Sequence, residues 1–287
     1  MRVLYVDMAL ALGGSTISLY RLLSHINRSA VEPVVCLYHA NAYVERFRDL
    51  GIVTNVLNVP DRPSPTTATG SQPARVQPWR RRLGALRRTL TVVLPRIRLL
   101  HRLMQVKSLH LVHTNNALVE NADAILAARW SRIPCLAHVR RFQQVGRLER
   151  WIASGLSGTI YISWAVAADH RRQGIQTPRE RVIYDGLAAE AFAPVTRATW
   201  QAVRQEFGVP VDVPLIGLVG RLTRWKGQDV FLRAFAQVHL RYPNAWALVI
   251  GGGGPSDAAF VQELSRWREA LALSERVIFT GERQDVA

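Results

Sequence analysis

Short apolar runs alternate with stretches of helical periodicity along most of this chain, and nothing else in the sequence constrains its fold as tightly. Residues 3–6 form a compact apolar run, followed by Gly13-Gly14-Ser15 and then by Ile17, Leu22, Leu23 and Ile26 at helical spacing. A strand over 31–37, a helix over 43–50 and a strand over 52–57 continue the pattern. Such alternation predicts crossover units, a parallel sheet and an α/β fold. It resumes with strands over 109–113, 134–138, 159–163 and 181–184 and a helix over 118–130, closing at the turn Asp185-Gly186.

One segment interrupts it. Residues 60–78 are rich in Pro, Ser, Thr, Gly and Gln and predict a flexible surface loop. Leu83, Leu86, Leu90, Val93, Ile97, Leu100 and Met104 then form a narrow apolar stripe on a basic helix over 79–107, bent at Pro95. Arg80, Arg81, Arg82, Arg87, Arg88, Arg96, Arg98, Arg102 and Lys107 flank the stripe, and no acidic residue interrupts them. Two readings stand at this point: a helix lying on an anionic membrane surface, or an ordinary helix packing its stripe on the sheet.

Pro194, Pro210 and Pro214 surround one short helical stretch and predict a connection between domains, dividing the chain into 1–195 and 196–287. The second unit reads strand 215–219, helix 227–241, strand 246–250, helix 256–271 and strand 276–280. Val230, Phe231, Ala234, Phe235 and Val238 are the expected core face of its first helix, which Pro243 stops. Three strands and two crossovers make one half of a doubly wound domain, so the second unit is expected to be incomplete.

Composition decides among partners only coarsely. Lys and Arg number 37 against 21 Asp and Glu, a formal net charge of +16, which favours an anionic partner: nucleotide phosphate, acidic lipid or nucleic acid. Cys36 and Cys135 lie in apolar runs that read as buried strands, so they are expected to be free thiols. Asp7 interrupts the first apolar run, which argues against a secretion signal and makes the cytoplasm the default location. No apolar stretch reaches the roughly 18 residues of a membrane-spanning helix.

The chemistry concentrates in Gly220-Arg221-Leu222-Thr223-Arg224-Trp225-Lys226-Gly227 and in the run Gly251-Gly252-Gly253-Gly254-Pro255. Two cations, Arg221 and Lys226, stand where an apolar strand gives way to a helix, the place where a doubly wound sheet meets a bound anion. Arg donates to phosphate in a planar fork and Lys acts as a point charge, so the pair is suited to a diphosphate without a metal. The glycine run permits close approach of backbone to a ligand, and a plain tight turn is its bland alternative. Paired carboxylates of the glycosidase kind and metal-ligand spacings of Cys and His are not found.

These segments together strongly resemble the retaining glycosyltransferases of the GT-B fold, family four, also called glycosyl transferases group one. The resemblance rests on Gly220-Arg221-Leu222, Lys226-Gly227, Tyr242-Pro243, Gly252-Gly253-Gly254-Pro255 and the strand 277–281 ending in glycine, in that order. It implies two doubly wound Rossmann-type domains, with Arg221 and Lys226 as ligands of a nucleotide-sugar diphosphate and Gly252 and Gly254 in the donor pocket. It also implies that Gly13 and Gly14 approach the substrates at the interdomain cleft, with Ser15 capping the following helix, and that His138 faces that cleft.

Transfer of a sugar to a glycan or lipid-linked acceptor with retained configuration, without metal or other cofactor, is the implied reaction. Its setting would be the cytoplasm, peripheral on the inner face of the membrane. Two features depart from the pattern: Asp185-Gly186 stands where Asn-Gly is usual, with Ala188 in place of an acidic residue, and the family's later strands and two glutamates have no counterpart. The expectation is therefore of an acceptor domain joined to half of a donor domain, inactive as it stands. The rival readings are an inactive fragment and a basic nucleic-acid-binding protein, the latter resting on the clusters 80–82 and Arg140-Arg141 without any recognition module.

Overall fold

The computed structural model describes residues 1–8, 14–58, 89–187, 195–254, 257–283 and 285–286. The expected loop 60–78, the first part of the basic helix and Gly13 lie outside these residues. The chain divides into two compact units, Met1–Leu187 and Ala188–Ala287.

The first unit runs β1 (Arg2–Asp7), α1 (Gly14–Ser24), β2 (Glu32–Leu37), α2 (Tyr43–Asp49), β3 (Val53–Val56), α3 (Leu94–Val106), β4 (Leu111–Asn116), α4 (Ala122–Ser131), β5 (Cys135–Val139), α5 (Arg147–Ala153), β6 (Gly158–Tyr161), α6 (Trp164–Arg172) and β7 (Glu180–Val182). All seven strands pair in parallel in the order β3-β2-β1-β4-β5-β6-β7. The order reverses between β1 and β4, the point where doubly wound sheets bind ligands beyond their strand carboxyl ends.

Alternate residues of each strand serve two cores because successive side chains point to opposite faces. Leu4, Val6, Val34 and Cys36 pack against Ile97, Leu100, Ile125, Ala128 and Ile152 from α3, α4 and α5. Val3, Tyr5, Val35 and Leu37 pack on the other face against Leu19, Leu23, Val44 and Phe47 from α1 and α2. Burial on both faces explains why these strands read as unbroken apolar runs. Both cysteines are free and buried, and burial pushes each thiol up to about 12.

The apolar stripe of the basic helix is resolved by packing over the residues described. Ile97, Leu100 and Met104 sit in the core, and Arg96 is buried with its guanidinium over the Tyr38 ring. A π-helical turn over Thr89–Val93 runs directly into α3, and Pro95, where a bend is expected, falls in the first turn of α3 at this change of helix type.

The second unit contains α7 (Arg197–Glu206), β8 (Leu215–Val219), α8 (Gln228–Arg241), β9 (Trp246–Ile250), α9 (Ala258–Ala270) and β10 (Val277–Gly281). Its strands are parallel in the order β10-β9-β8. Leu232 and Phe235 of α8, Phe260 and Leu264 of α9, and Ala247 and Val249 of β9 form its core. The face expected for α8 is shifted by part of a turn: Val230 and Ala234 are exposed, while Leu232 and the polar Gln228 are buried. A buried glutamine in the first turn rotates the inward face away from the one that apolar periodicity alone selects.

Packing of α3 on the sheet carries a measurable consequence. Leu100→Ala should destabilise the first unit by about 2–5 kcal/mol in urea unfolding, the cost of removing a large core side chain. A loss below roughly 1 kcal/mol, the range of surface substitutions and mild core changes, would place the stripe outside the core.

Candidate functional site

In the second unit the loops after β8 and β9 are laced together before any side chain is considered. The Gly220 N–H donates to the Ile250 carbonyl at 2.9 Å and the Leu222 N–H to the Gly252 carbonyl at 2.9 Å. Gly251, between them, has φ +145°, and a Cβ there would stand 2.2 Å from the Gly220 carbonyl oxygen. Only glycine allows this approach. Gly227, at φ +75°, ends the short 3-10 turn Arg224–Lys226 and leads into α8. Gln228, fully buried, donates through Nε2 to the Arg221 carbonyl at 2.8 Å and so ties the start of α8 to the loop.

Arg221 leaves this braced loop with its guanidinium against Asp257, the residue preceding α9. Nη2 and Nε donate to Asp257 Oδ2 at 2.7 and 3.2 Å, and the Gly254 N–H donates to the same oxygen at 3.2 Å. A Cβ on Gly254 would come within 3.1 Å of Nη2, so a side chain there would press on the guanidinium. Arg221 and the Gly254 amide thus already converge on one carboxylate oxygen. That is an anion cradle in chemical terms, since a phosphate oxygen accepts from the same donors.

Lys226 completes the cationic group. Its aliphatic stem passes Gly220, and its Nζ lies 4.3 Å from the centre of the Trp225 ring. Among the described residues Lys226 has no acidic partner. Arg224, between the two, is ion-paired with Glu263 and stacked on Phe260, and that pairing raises its own pKa while lowering that of Glu263. The loop therefore pairs Arg221 with Asp257 and Arg224 with Glu263 of α9, and holds Lys226 against Trp225.

In the first unit the polar side chains converge at the strand carboxyl ends beside the reversal of strand order. Asp7, the last residue of β1 and buried, accepts from the Thr16 hydroxyl at 2.8 Å. Asn115 of β4 donates to the Ser15 carbonyl at 3.0 Å and accepts from Arg140 Nε at 2.7 Å. Arg140 also donates through Nη1 to Asp185 at 2.5 Å, and Asp185 accepts from the Ser18 hydroxyl at 3.0 Å. Gly14 is the first residue of α1, so Ser15 lies inside the helix and is not its cap, a correction of the expected role.

His138 sits in β5 opposite Asn115, buried, with its ring 5.5 Å from that of His113. Arg140 Nη2 approaches His138 Nδ1 at 3.4 Å, and a permanently charged guanidinium can only donate. The proton of the neutral ring therefore rests on Nε2, which is buried and has no partner among the described residues. Burial, with Arg140 and then His113 adding to it, pushes the His138 pKa down to about 2. Burial and Arg140 take His113 down to about 4. His138 is a neutral hydrogen-bond donor here, not a base.

Asp7, Asn115, Arg140, Asp185, Gln228 and Asp257 were missed as site residues by sequence reasoning. Asp7 carried a usable signal, being the one buried charge in β1. Arg140-Arg141 looked like a nucleic-acid cluster, but adjacent residues at a strand end point to opposite sides: Arg140 is held in the polar cluster and Arg141 pairs with Glu120.

The fold these units build is that of the GT-B glycosyltransferases, α/β with parallel Rossmann-type sheets. A glycosyltransferase from Rickettsia africae matches 99% of the chain and 69% of its own length with a TM-score of 0.74 and 17% identity. The Anabaena protein Alr3699/HepE, solved in complex with UDP, matches 100% of the chain and 70% of its own length with a TM-score of 0.73 and 21% identity. Residues 213–287 match the family model described as glycosyl transferases group 1. The D-inositol 3-phosphate glycosyltransferase of Mycolicibacterium smegmatis is 31% identical over 169 residues, covering 59% of this chain and 36% of that protein. The chain thus spans about a third of the length of that curated relative.

The histidine pair generates a pH prediction. Unfolded histidine takes a proton near pH 6.5, whereas the folded rings resist until about pH 4 and about 2, so the unfolded state binds more protons as pH falls and stability rises with pH. Lowering pH from 7 to 5 should cost up to about 2 kcal/mol per histidine in urea unfolding. His138→Gln should remove part of that slope, and an unchanged slope in the variant would contradict the assignment.

Proposed function

We infer that this chain is a glycosyltransferase polypeptide that binds a nucleotide-sugar donor through the second unit and transfers the sugar with retained configuration. One observation carries the reading: at the carboxyl end of β8, Arg221 and the Gly254 amide converge on one carboxylate oxygen, and Lys226, in the same loop, has no acidic partner among the described residues. Departure of a nucleoside diphosphate builds negative charge on phosphate oxygens, and fixed cations there stabilise the transition state more than the ground state. The UDP bound by Alr3699/HepE supports a uridine nucleotide as donor.

In this reading Arg221 and Lys226 hold the diphosphate, with Gly252 and Gly254 giving the backbone room. Asp257 stands in for the phosphate when the donor is absent. The donor either displaces its carboxylate or uses the guanidinium N–H groups that Asp257 leaves free. The reaction needs no metal in this scheme, because the two cations supply the charge, and no side-chain base, because a donor phosphate oxygen takes the acceptor proton as the acceptor oxygen attacks. His138, kept neutral by burial and by Arg140, has no proton-transfer role in this scheme. The acceptor is a glycan or a lipid-linked precursor, and the reaction belongs to the cytoplasmic side of a membrane.

Calorimetry with UDP tests the donor site directly. Lys226→Ala and Arg221→Ala should each weaken binding by about 10-fold or more, the scale of one lost charge-assisted hydrogen bond. Arg224→Ala, which removes a cation already paired with Glu263, should leave affinity within a factor of about two. Equal losses in all three variants would show a general charge effect and remove the assigned roles.

A further inference from the structure

The outer side of α3, α4 and α5 carries a feature that the donor site does not use. These three helices cover one face of the first sheet, and their outward side chains interlock across the helix boundaries. His101 of α3 stacks on Trp130 of α4 with ring centres 4.3 Å apart and planes within 5°. Its Nδ1 lies 2.8 Å from the Ser131 hydroxyl. Arg129, next to Trp130, places its guanidinium 4.9 Å from the Trp151 ring centre on α5. Both indoles nevertheless stay open to solvent, Trp130 at 55% and Trp151 at 53% exposure.

Cations frame this strip and acids do not. Arg98 and Arg102 are exposed on α3, three residues before and one after His101. Arg132 follows α4 and Arg147 opens α5, both exposed. The acidic side chains on these helices are Asp123, buried and accepting from the Tyr38 hydroxyl at 2.6 Å, and Glu149, which accepts from the Gly146 N–H at 3.0 Å. Exposed indoles held in place among unpaired-sign charge suit the headgroup region of an anionic bilayer, where the rings enter the interface and each arginine gains from the surface potential. Nucleic acid is the weaker fit, because His101 and Arg129 already occupy one face of each indole and no run of open aromatic faces follows a backbone track.

We propose that the α3–α4–α5 face of the first unit is a docking surface for anionic phospholipid membranes, anchored by Trp130 and Trp151 and steered by Arg98 and Arg102. Trp130 lies in the last turn of α4, which runs from the carboxyl end of β4 back to the amino end of β5. The inference does not rest on glycosyl transfer, since none of these side chains belongs to the donor site.

The test uses the 287-residue chain and vesicles of phosphatidylcholine alone or with 40% phosphatidylglycerol added, with co-sedimentation as the readout. The chain should partition onto the anionic vesicles and not onto the neutral ones, less so at high salt. The Trp130→Ala/Trp151→Ala double variant and the Arg98→Gln/Arg102→Gln double variant should each lose about 10-fold or more in partition, with unchanged circular dichroism spectra. Absence of binding by the parent chain, or full binding by both variants, overturns the proposal. Oligonucleotide binding that competes with vesicles and survives the tryptophan substitutions would also overturn it, in favour of a nucleic-acid surface.

Discussion

Because every strand in each described sheet pairs parallel to its neighbours, each unit gathers its strand carboxyl ends on one edge, and the loops leaving that edge must carry whatever recognition the unit has. Parallel pairing also needs both faces covered by helices, which is why the strands are apolar throughout and why the few polar strand residues stand out. Asp7, Asn115 and His138 occur where strands reach that edge, and each touches or neighbours the same arginine-centred network. In the second unit the same edge holds the Arg221 loop, fixed by backbone bonds to the β9 loop and by Gln228 beneath it.

The two edges handle charge differently. In the first unit the Arg140 side chain is enclosed and shared among Asn115, Asp185 and His138, so its charge orients neighbours and adds to the burial that keeps the imidazole neutral. In the second unit Arg221 and Lys226 are exposed, and the carboxylate that Arg221 holds comes from a residue beside the flexible-backbone glycine run. An enclosed cation with fixed partners organises structure. An exposed pair with one internal anion leaves its charge open to solvent.

Much of this architecture was legible in the sequence, and the reasons are physical. Strand placement followed from unbroken apolar runs, whereas the glycine run was read as room for a ligand and the approach of Gly251 to the Gly220 carbonyl needed the structure. The helices α5 and α6 were not read, because segments such as Arg147–Ala153 bury only Ile152 and Ala153 and so show no apolar stripe. The core face of α8 was misjudged since Gln228 is buried for its hydrogen bond, a motive that hydrophobic spacing does not express. Arg140 was hidden for a similar reason: adjacent arginines look alike in sequence, and only the strand-end geometry separates the one turned inward from the one paired with Glu120. Asp257 was missed because its role exists only once the β8 and β9 loops are brought together.

The central claim is that Arg221 and Lys226 form the seat of a nucleotide diphosphate. Phosphorus NMR of UDP titrated with the chain reads that contact at the atoms concerned. The account predicts that both phosphorus resonances shift on binding and that the shifts collapse in the Arg221→Ala/Lys226→Ala double variant. Binding that perturbs the uridine protons while leaving both phosphorus resonances in place, or shifts retained in the double variant, would contradict it.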